Sequence, residues 1–130
     1  MPNLLLRPDA AEPPPHWSVV CLCAAWCRTC DAYRPDLAQL AARERAVRFV
    51  WLDVEDDADW IGDLDIETFP TLLVLARDTP LFFGALPPQI GVFERTLQSL
   101  RAGAVRAAAL DDEVAAALRE ISARLKAWRG

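Results

Sequence analysis

A chain of 130 residues has the size of one domain and can bury a core without structural disulfides or metals. With 53% hydrophobic and 25% charged residues, its composition is that of a packed globular protein rather than a disordered one. The formal net charge of -5 gives a polyanion no general reason to bind, and no apolar stretch approaches the ~20 residues needed to span a bilayer. Neither nucleic acid nor a membrane is an expected partner.

In chain order, residues 1–16 read as a proline-rich lead-in. The apolar run Leu4 to Leu6 is short, and Asp9 to Pro15 is linker-like. This lacks the charged start and apolar core of a secretory signal, so a cytoplasmic location is expected. His16 is the only histidine and reads as a surface residue. Residues 17–25 (WSVVCLCAA) are nearly continuously apolar, which predicts a strand buried on both faces. Tyr33, Leu37, Leu40 and Ala41 then recur at helical spacing over 27–43, so the chain turns from strand to helix near Cys27.

Val47 to Val54 predicts a second buried strand. An acidic segment from Glu55 to Glu67 follows, with Trp60, Ile61 and Leu64 as a short apolar helical face. Its charges read as a solvated face that repels acidic partners and favours basic ones. Thr71 to Ala76 and Leu81 to Leu86 predict two more strands, and the turn-like Arg77-Asp78-Thr79-Pro80 makes them a hairpin. Ile90, Phe93, Leu97 and Leu100 share one face of a helix over 90–100. A last helix is expected from about Asp111 to Trp128, with Val114, Leu118, Ile121, Leu125 and Trp128 in one stripe. Packing onto the domain is the simplest use of that stripe, and a dimer or partner contact is the competing one. The fold class is α/β: a three-layer sandwich with a central mixed sheet of about four strands, helices on both faces and an added C-terminal helix. The boundaries are 17–103 for the domain and 104–130 for the helical extension.

All four cysteines fall between positions 21 and 30. A stapled extracellular scaffold would spread them, so the clustering points to chemistry at one place. In Trp26-Cys27-Arg28-Thr29-Cys30, a thiol at the first turn of a helix lies near unpaired N–H groups and the positive end of the dipole, which favours the thiolate. That makes Cys27 the nucleophile. Cys30, on the next turn, is placed to attack a mixed disulfide at Cys27. Thiolates also suit zinc and iron–sulfur clusters. A C-x-C-x3-C-x2-C run along a strand and into a helix does not converge four sulfurs on one point. No metal and no other cofactor is expected, with a cluster shared between two chains as the competing arrangement.

Here the sequence resembles the thioredoxin family, over roughly residues 17–100. Trp26-Cys27-x-x-Cys30 follows a buried strand as in the family's active site, and Pro35 sits where the family has its helix-kinking proline. Phe69-Pro70-Thr71 is similar to the cis-proline segment, and Gly84 falls where a family glycine opens the surface beside the site. The resemblance implies a protein-disulfide oxidoreductase in which Cys27 attacks and Cys30 resolves. It also implies a cis Pro70 opposite the cysteines. Trp26, Arg28, Thr29, Phe69, Pro70 and Gly84 would form the substrate surface. Expected partners are protein disulfide substrates and an electron-donating reductase, with the chain a monomer or weak dimer.

The sequence also departs from the family. Arg28-Thr29 replaces Gly-Pro, which implies a less strongly reducing couple. The family's buried acid and its lysine partner align with Cys21 and Trp51, so the internal charge pair is missing and deprotonation of Cys30 is expected to be slower. Cys21 and Cys23 share one strand face and read as small apolar fillers. Cys21, under the site, is a candidate auxiliary thiol able to exchange with Cys30. The alternative from another class is a non-catalytic thioredoxin-like binding module or assembly chaperone.

Overall fold

The computed structural model describes residues 3–4, 17–44, 46–62, 64–77, 79–103 and 112–127. Its elements run β1 (Asn3–Leu4), β2 (Trp17–Cys23), α1 (Arg28–Arg43), β3 (Val47–Asp53), α2 (Ala58–Ile61), β4 (Thr71–Ala76), β5 (Thr79–Ala85), α3 (Ile90–Arg101) and α4 (Asp112–Ala127). The sheet order is β1-β3-β2-β4-β5. β2 and β3 pair in parallel, joined through α1, while β2–β4, β4–β5 and β1–β3 are antiparallel. The mixed sheet is therefore the expected four strands plus a two-residue edge strand. That edge strand starts one residue before the expected run, and Leu5 and Leu6 lie outside the described residues.

The central strands are apolar on both faces because both faces are covered. Val19, Cys21, Cys23, Phe49, Trp51, Leu72 and Val74 face one layer, where Tyr33, Leu37 and Leu40 of α1 meet Phe93, Leu97 and Leu100 of α3. Val20, Leu22, Val50, Leu52, Leu73 and Leu75 face the other, covered by Ile61 of α2 and by Leu118, Ile121 and Leu125 of α4. The two-residue alternation of a strand thus splits one apolar run between two cores. The stripe of the last helix is spent on the second core. Asp111 and Trp128, the expected cap and end, lie outside the described residues.

Polar contacts fix these layers. Arg48 of β3 donates to the Leu125 carbonyl at 2.9 Å, and the Ser122 hydroxyl donates to the Arg77 carbonyl at 3.2 Å, so α4 is tied to the strand and to the hairpin turn. On the other face Arg43–Glu94 and Arg101–Glu44 join α1 to α3.

Three boundaries differ from expectation for physical reasons. The helical face after β3 is a single turn, because Gly62 at φ 61 ends it, yet Leu64 and Ile66 still pack on the second core from the loop. The acidic run is only partly a solvated face. Asp53 accepts N–H bonds from Glu55 and Asp56 at 2.8 and 3.0 Å, and buried Asp57 accepts one from the Asp53 N–H at 2.9 Å. Finally, β5 begins at Thr79, so the turn is tighter than the expected 77–80 segment. Arg77 takes the left-handed conformation at φ 54, and Pro80 sits within the edge strand beside a register shift at Val74/Leu75. An edge strand tolerates a proline because one row of its N–H groups has no ladder partner to lose.

Candidate redox site

β2 ends at Cys23, and a tight turn closed by the Cys27 N–H on the Ala24 carbonyl at 3.0 Å delivers the chain into α1. Cys27 is the N-cap of that helix, with extended backbone, and its carbonyl accepts from Asp31 N–H at 3.1 Å. The N–H groups of the first turn have no intrahelical partners and point past the Cys27 end of the helix. Cys27 is half-buried and carries a free thiol, whereas Cys30, one turn on, is 1% exposed. The motif therefore presents one accessible sulfur and one hidden one.

Cys30 is not bonded to Cys27. Its disulfide partner is Cys23, with the two Cα atoms 6.0 Å apart, inside the range such bridges span. This differs from the Cys27–Cys30 bridge expected from the motif. The reason is local: alternation along β2 turns Cys23 toward α1, and Cys23 is the last strand residue, level with the first turn of the helix. Cys21, offered by the sequence for exchange with Cys30, is a free thiol two residues deeper, with its sulfur 3.7 Å from that of Cys23.

The Phe69–Pro70 peptide bond is cis. Phe69 packs edge-on against Trp26, with ring centroids 5.6 Å apart and planes at 89°, which brings the Pro70 loop against the residue preceding Cys27. The Thr71 hydroxyl donates to the Thr68 carbonyl and closes the loop on itself. Trp26 is 67% exposed, the only large hydrophobic side chain so exposed among the described residues. Arg28 and Thr29 are also exposed, completing a surface patch with Trp26. From the other side of the loop, Asp65 to Thr68 with Thr71 and Phe83 to Ala85 line an open groove of about 250 Å³. Gly84 forms part of its wall, and a Cβ there would meet only the Phe82 ring, at 3.8 Å. Among the described residues, no group of three or more His, Cys, Asp or Glu side chains could hold a metal ion.

The thioredoxin family model matches residues 13–82, more than half of the chain. The chain belongs to the thioredoxin family. It is 26% identical to a thioredoxin of Aspergillus fumigatus over 84 residues, 65% of this chain and 78% of that protein. Among solved structures it is similar to mitochondrial thioredoxin 3 of Saccharomyces cerevisiae, at 21% identity and a TM-score of 0.58, covering 65% of this chain and 79% of that one. It is also similar to thioredoxin f2 in its complex with ferredoxin:thioredoxin reductase, at 17% identity and a TM-score of 0.58, covering 65% and 77%. With this family, this fold and a disulfide-forming cysteine pair, the protein is a thiol–disulfide oxidoreductase.

Within the thioredoxin frame the departures cluster beneath the cysteines. Cys21 and Trp51, at the positions of the family's buried acid and lysine, are register partners on β2 and β3. Burial pushes the Cys21 thiol far above its ordinary range, opposed in part by the Arg34 guanidinium, so it stays neutral. Arg34 itself lies over the Trp51 ring, 4.8 Å from its centroid. The Tyr33 hydroxyl is buried without a hydrogen-bond partner among the described residues. Burial, then Cys21 and Asp36, hold its proton on. A thioredoxin charge pair has become a neutral cluster of thiol, phenol and indole. Cys21 and Trp51 stand out in the sequence as departures from the family, whereas the pairing of Cys23 and the buried hydroxyl of Tyr33 do not. The signal available for Cys23 was its strand-end position, four residues before Cys27.

Proposed function

We propose that the chain reduces or exchanges disulfides in protein substrates, with Cys27 attacking and Cys30 resolving. The observation that carries this reading is the asymmetry of the motif: Cys27 is half-exposed at the helix N-cap beside exposed Trp26, while Cys30 is buried one turn away. Only Cys27 offers its sulfur to a substrate, and only a group already bonded to Cys27 comes within reach of Cys30. An extended substrate segment would lie over Trp26 and along the Phe69-Pro70 loop, continuing into the groove by Gly84. Exposed Asp65 and Glu67 at that groove favour segments carrying lysine or arginine.

The reductant would be a partner reductase, by analogy with the solved thioredoxin f2 complex. We place the work in the cytoplasm as part of thiol homeostasis, which fits four cysteines confined to one short stretch and two of them free. A Cys30→Ser variant should retain substrates as mixed disulfides on Cys27, released by dithiothreitol and identifiable by mass. Cys27→Ser should trap nothing and lose insulin-disulfide reduction by at least a hundredfold. An empty Cys30→Ser trap together with full activity of Cys27→Ser would sink the assignment. Cell fractionation tests the compartment.

A further inference from the structure

The mechanism above uses two cysteines, and the structure joins a third to one of them. We propose that Cys23 is a second resolving residue. It takes Cys30 from the Cys27–Cys30 disulfide, so that the oxidised protein stores its disulfide in the core and regains Cys27 as a free thiol. The proposal rests on the assignment of Cys27 and Cys30 as attacker and resolver, and deepens it.

The geometry is that of one sulfur between two partners. Cys30 lies in the first turn of α1, with Cys27 one turn before it on the solvent side and Cys23, at the end of β2, on the core side. The Cys23–Cys30 bond is present, at a Cα separation of 6.0 Å. Both residues are within 1% of full burial, whereas Cys27 is half-exposed. Cys21 is not a further station. Two residues apart on an extended strand with side chains held parallel, the Cβ atoms lie about 6.6 Å from each other, well beyond the roughly 3.8 Å a bridge requires, which opposes a Cys21–Cys23 bridge without a break in β2. At 3.7 Å the Cys21 thiol can instead donate a weak hydrogen bond to the Cys23 sulfur and steady it as thiolate.

The step balances without an added oxidant. The Cys23 thiol gives up its proton to solvent and its sulfur attacks Cys30 Sγ. The Cys23–Cys30 bond forms as the Cys27–Cys30 bond breaks, and the electron pair of the broken bond leaves on Cys27 Sγ, which takes a proton from solvent. One disulfide is consumed and one is made. Two properties follow. The stored disulfide is shielded from small thiols, and Cys27 can engage a second disulfide while Cys30 is withheld. The chain then holds a partner as a mixed disulfide until a reducing dithiol, such as that of a partner reductase, reduces Cys23–Cys30 and frees Cys30 to resolve it.

The test maps linkages in the intact protein. Oxidation with one equivalent of oxidised glutathione, removal of glutathione, alkylation with iodoacetamide and tryptic cleavage after Arg28 separate Cys30 from the peptide bearing Cys21, Cys23 and Cys27. Fragmentation of the linked pair then reports which of those three is bound. The expected result is a Cys23–Cys30 link with alkylated Cys27. Cys23→Ala should lower Cys27 alkylation in the oxidised protein at least tenfold and shift the link to Cys27–Cys30. Cys21→Ala should leave the link at Cys23. A Cys27–Cys30 link alone in the wild type, or a link through Cys21, overturns the proposal, and so does unchanged Cys27 alkylation in Cys23→Ala. Any of these three results can occur while the Cys30→Ser trap still captures substrates, so failure here is separable from failure of the assigned function.

Discussion

Trp26 combines two facts that pull its energetics apart. Its ring is largely in water, so removing it costs stability only through the edge-on contact with Phe69, about 0.5–1.5 kcal/mol. In the proposed function the same ring serves as an aromatic anchor beside Cys27, the kind of residue whose loss weakens protein docking by about 1–2 kcal/mol. Trp26→Ala should therefore raise KM for a protein disulfide roughly five- to thirtyfold, with kcat for a small disulfide nearly unchanged. Steady-state kinetics on insulin and on a small aromatic disulfide would check this, and an unchanged KM would remove Trp26 from the docking surface. The strand-to-helix joint at Cys27 and the cis bond at Pro70 were legible in the sequence, because each sits in a motif whose order along the chain carries the information. The Cys23–Cys30 link was not. Alternation put Cys21 and Cys23 on the same face, and the sequence pointed to Cys21 as the auxiliary thiol. What separates them is how far along β2 the first turn of α1 falls, and that is set by the turn at Ala24 and by tertiary packing.

Among the elements, α4 shows how a helix beyond the main fold becomes part of the core. Its Leu118 and Ile121 are fully buried against Val20, Leu22, Val50 and Leu52, on the face that one-turn α2 leaves mostly bare. The periodic stripe announced the helix. It did not say which surface the helix would cover, because the shortness of α2 came from Gly62 and the turn-building Asp53 and Asp57, which read in the sequence only as acidic charge. If α4 belongs to one cooperative unit, Ile121→Ala should cost about 2–5 kcal/mol and leave a single urea transition. A separately docked helix would give instead a loss below about 1 kcal/mol, or two transitions. Circular dichroism and tryptophan fluorescence followed together through the same titration would distinguish these outcomes.

For the whole molecule, exchanging a buried ion pair for neutral groups turns pH dependence toward the alkaline side. The Cys21 thiol and the Tyr33 phenol are both held protonated in the folded chain, chiefly by burial. Once unfolded, they return to ordinary values of 9.0 and 10.0. Below pH 9 both states carry both protons and these groups contribute no slope. Above it, the unfolded chain releases the Cys21 proton while the folded chain keeps it. The native state then binds more protons, and its stability falls by about 1.4 kcal/mol per pH unit. Above pH 10 Tyr33 adds a second proton difference, and the combined slope approaches about 2.7 kcal/mol per unit. The contribution is thus fully present at neutral pH and is lost as pH rises, opposite in sign to that of a salt-bridged carboxylate, which is lost on acidification. Chemical denaturation at pH 7, 9, 10 and 11 should show this loss in the wild type. Cys21→Ala should remove the part that begins near pH 9. Tyr33→Phe should remove the part that begins near pH 10, and because its hydroxyl has no partner among the described residues it should also be neutral or stabilising, by up to about 1 kcal/mol, at pH 7. Profiles for both variants that run parallel to the wild type would mean that the cluster beneath the cysteines opens to water before it titrates.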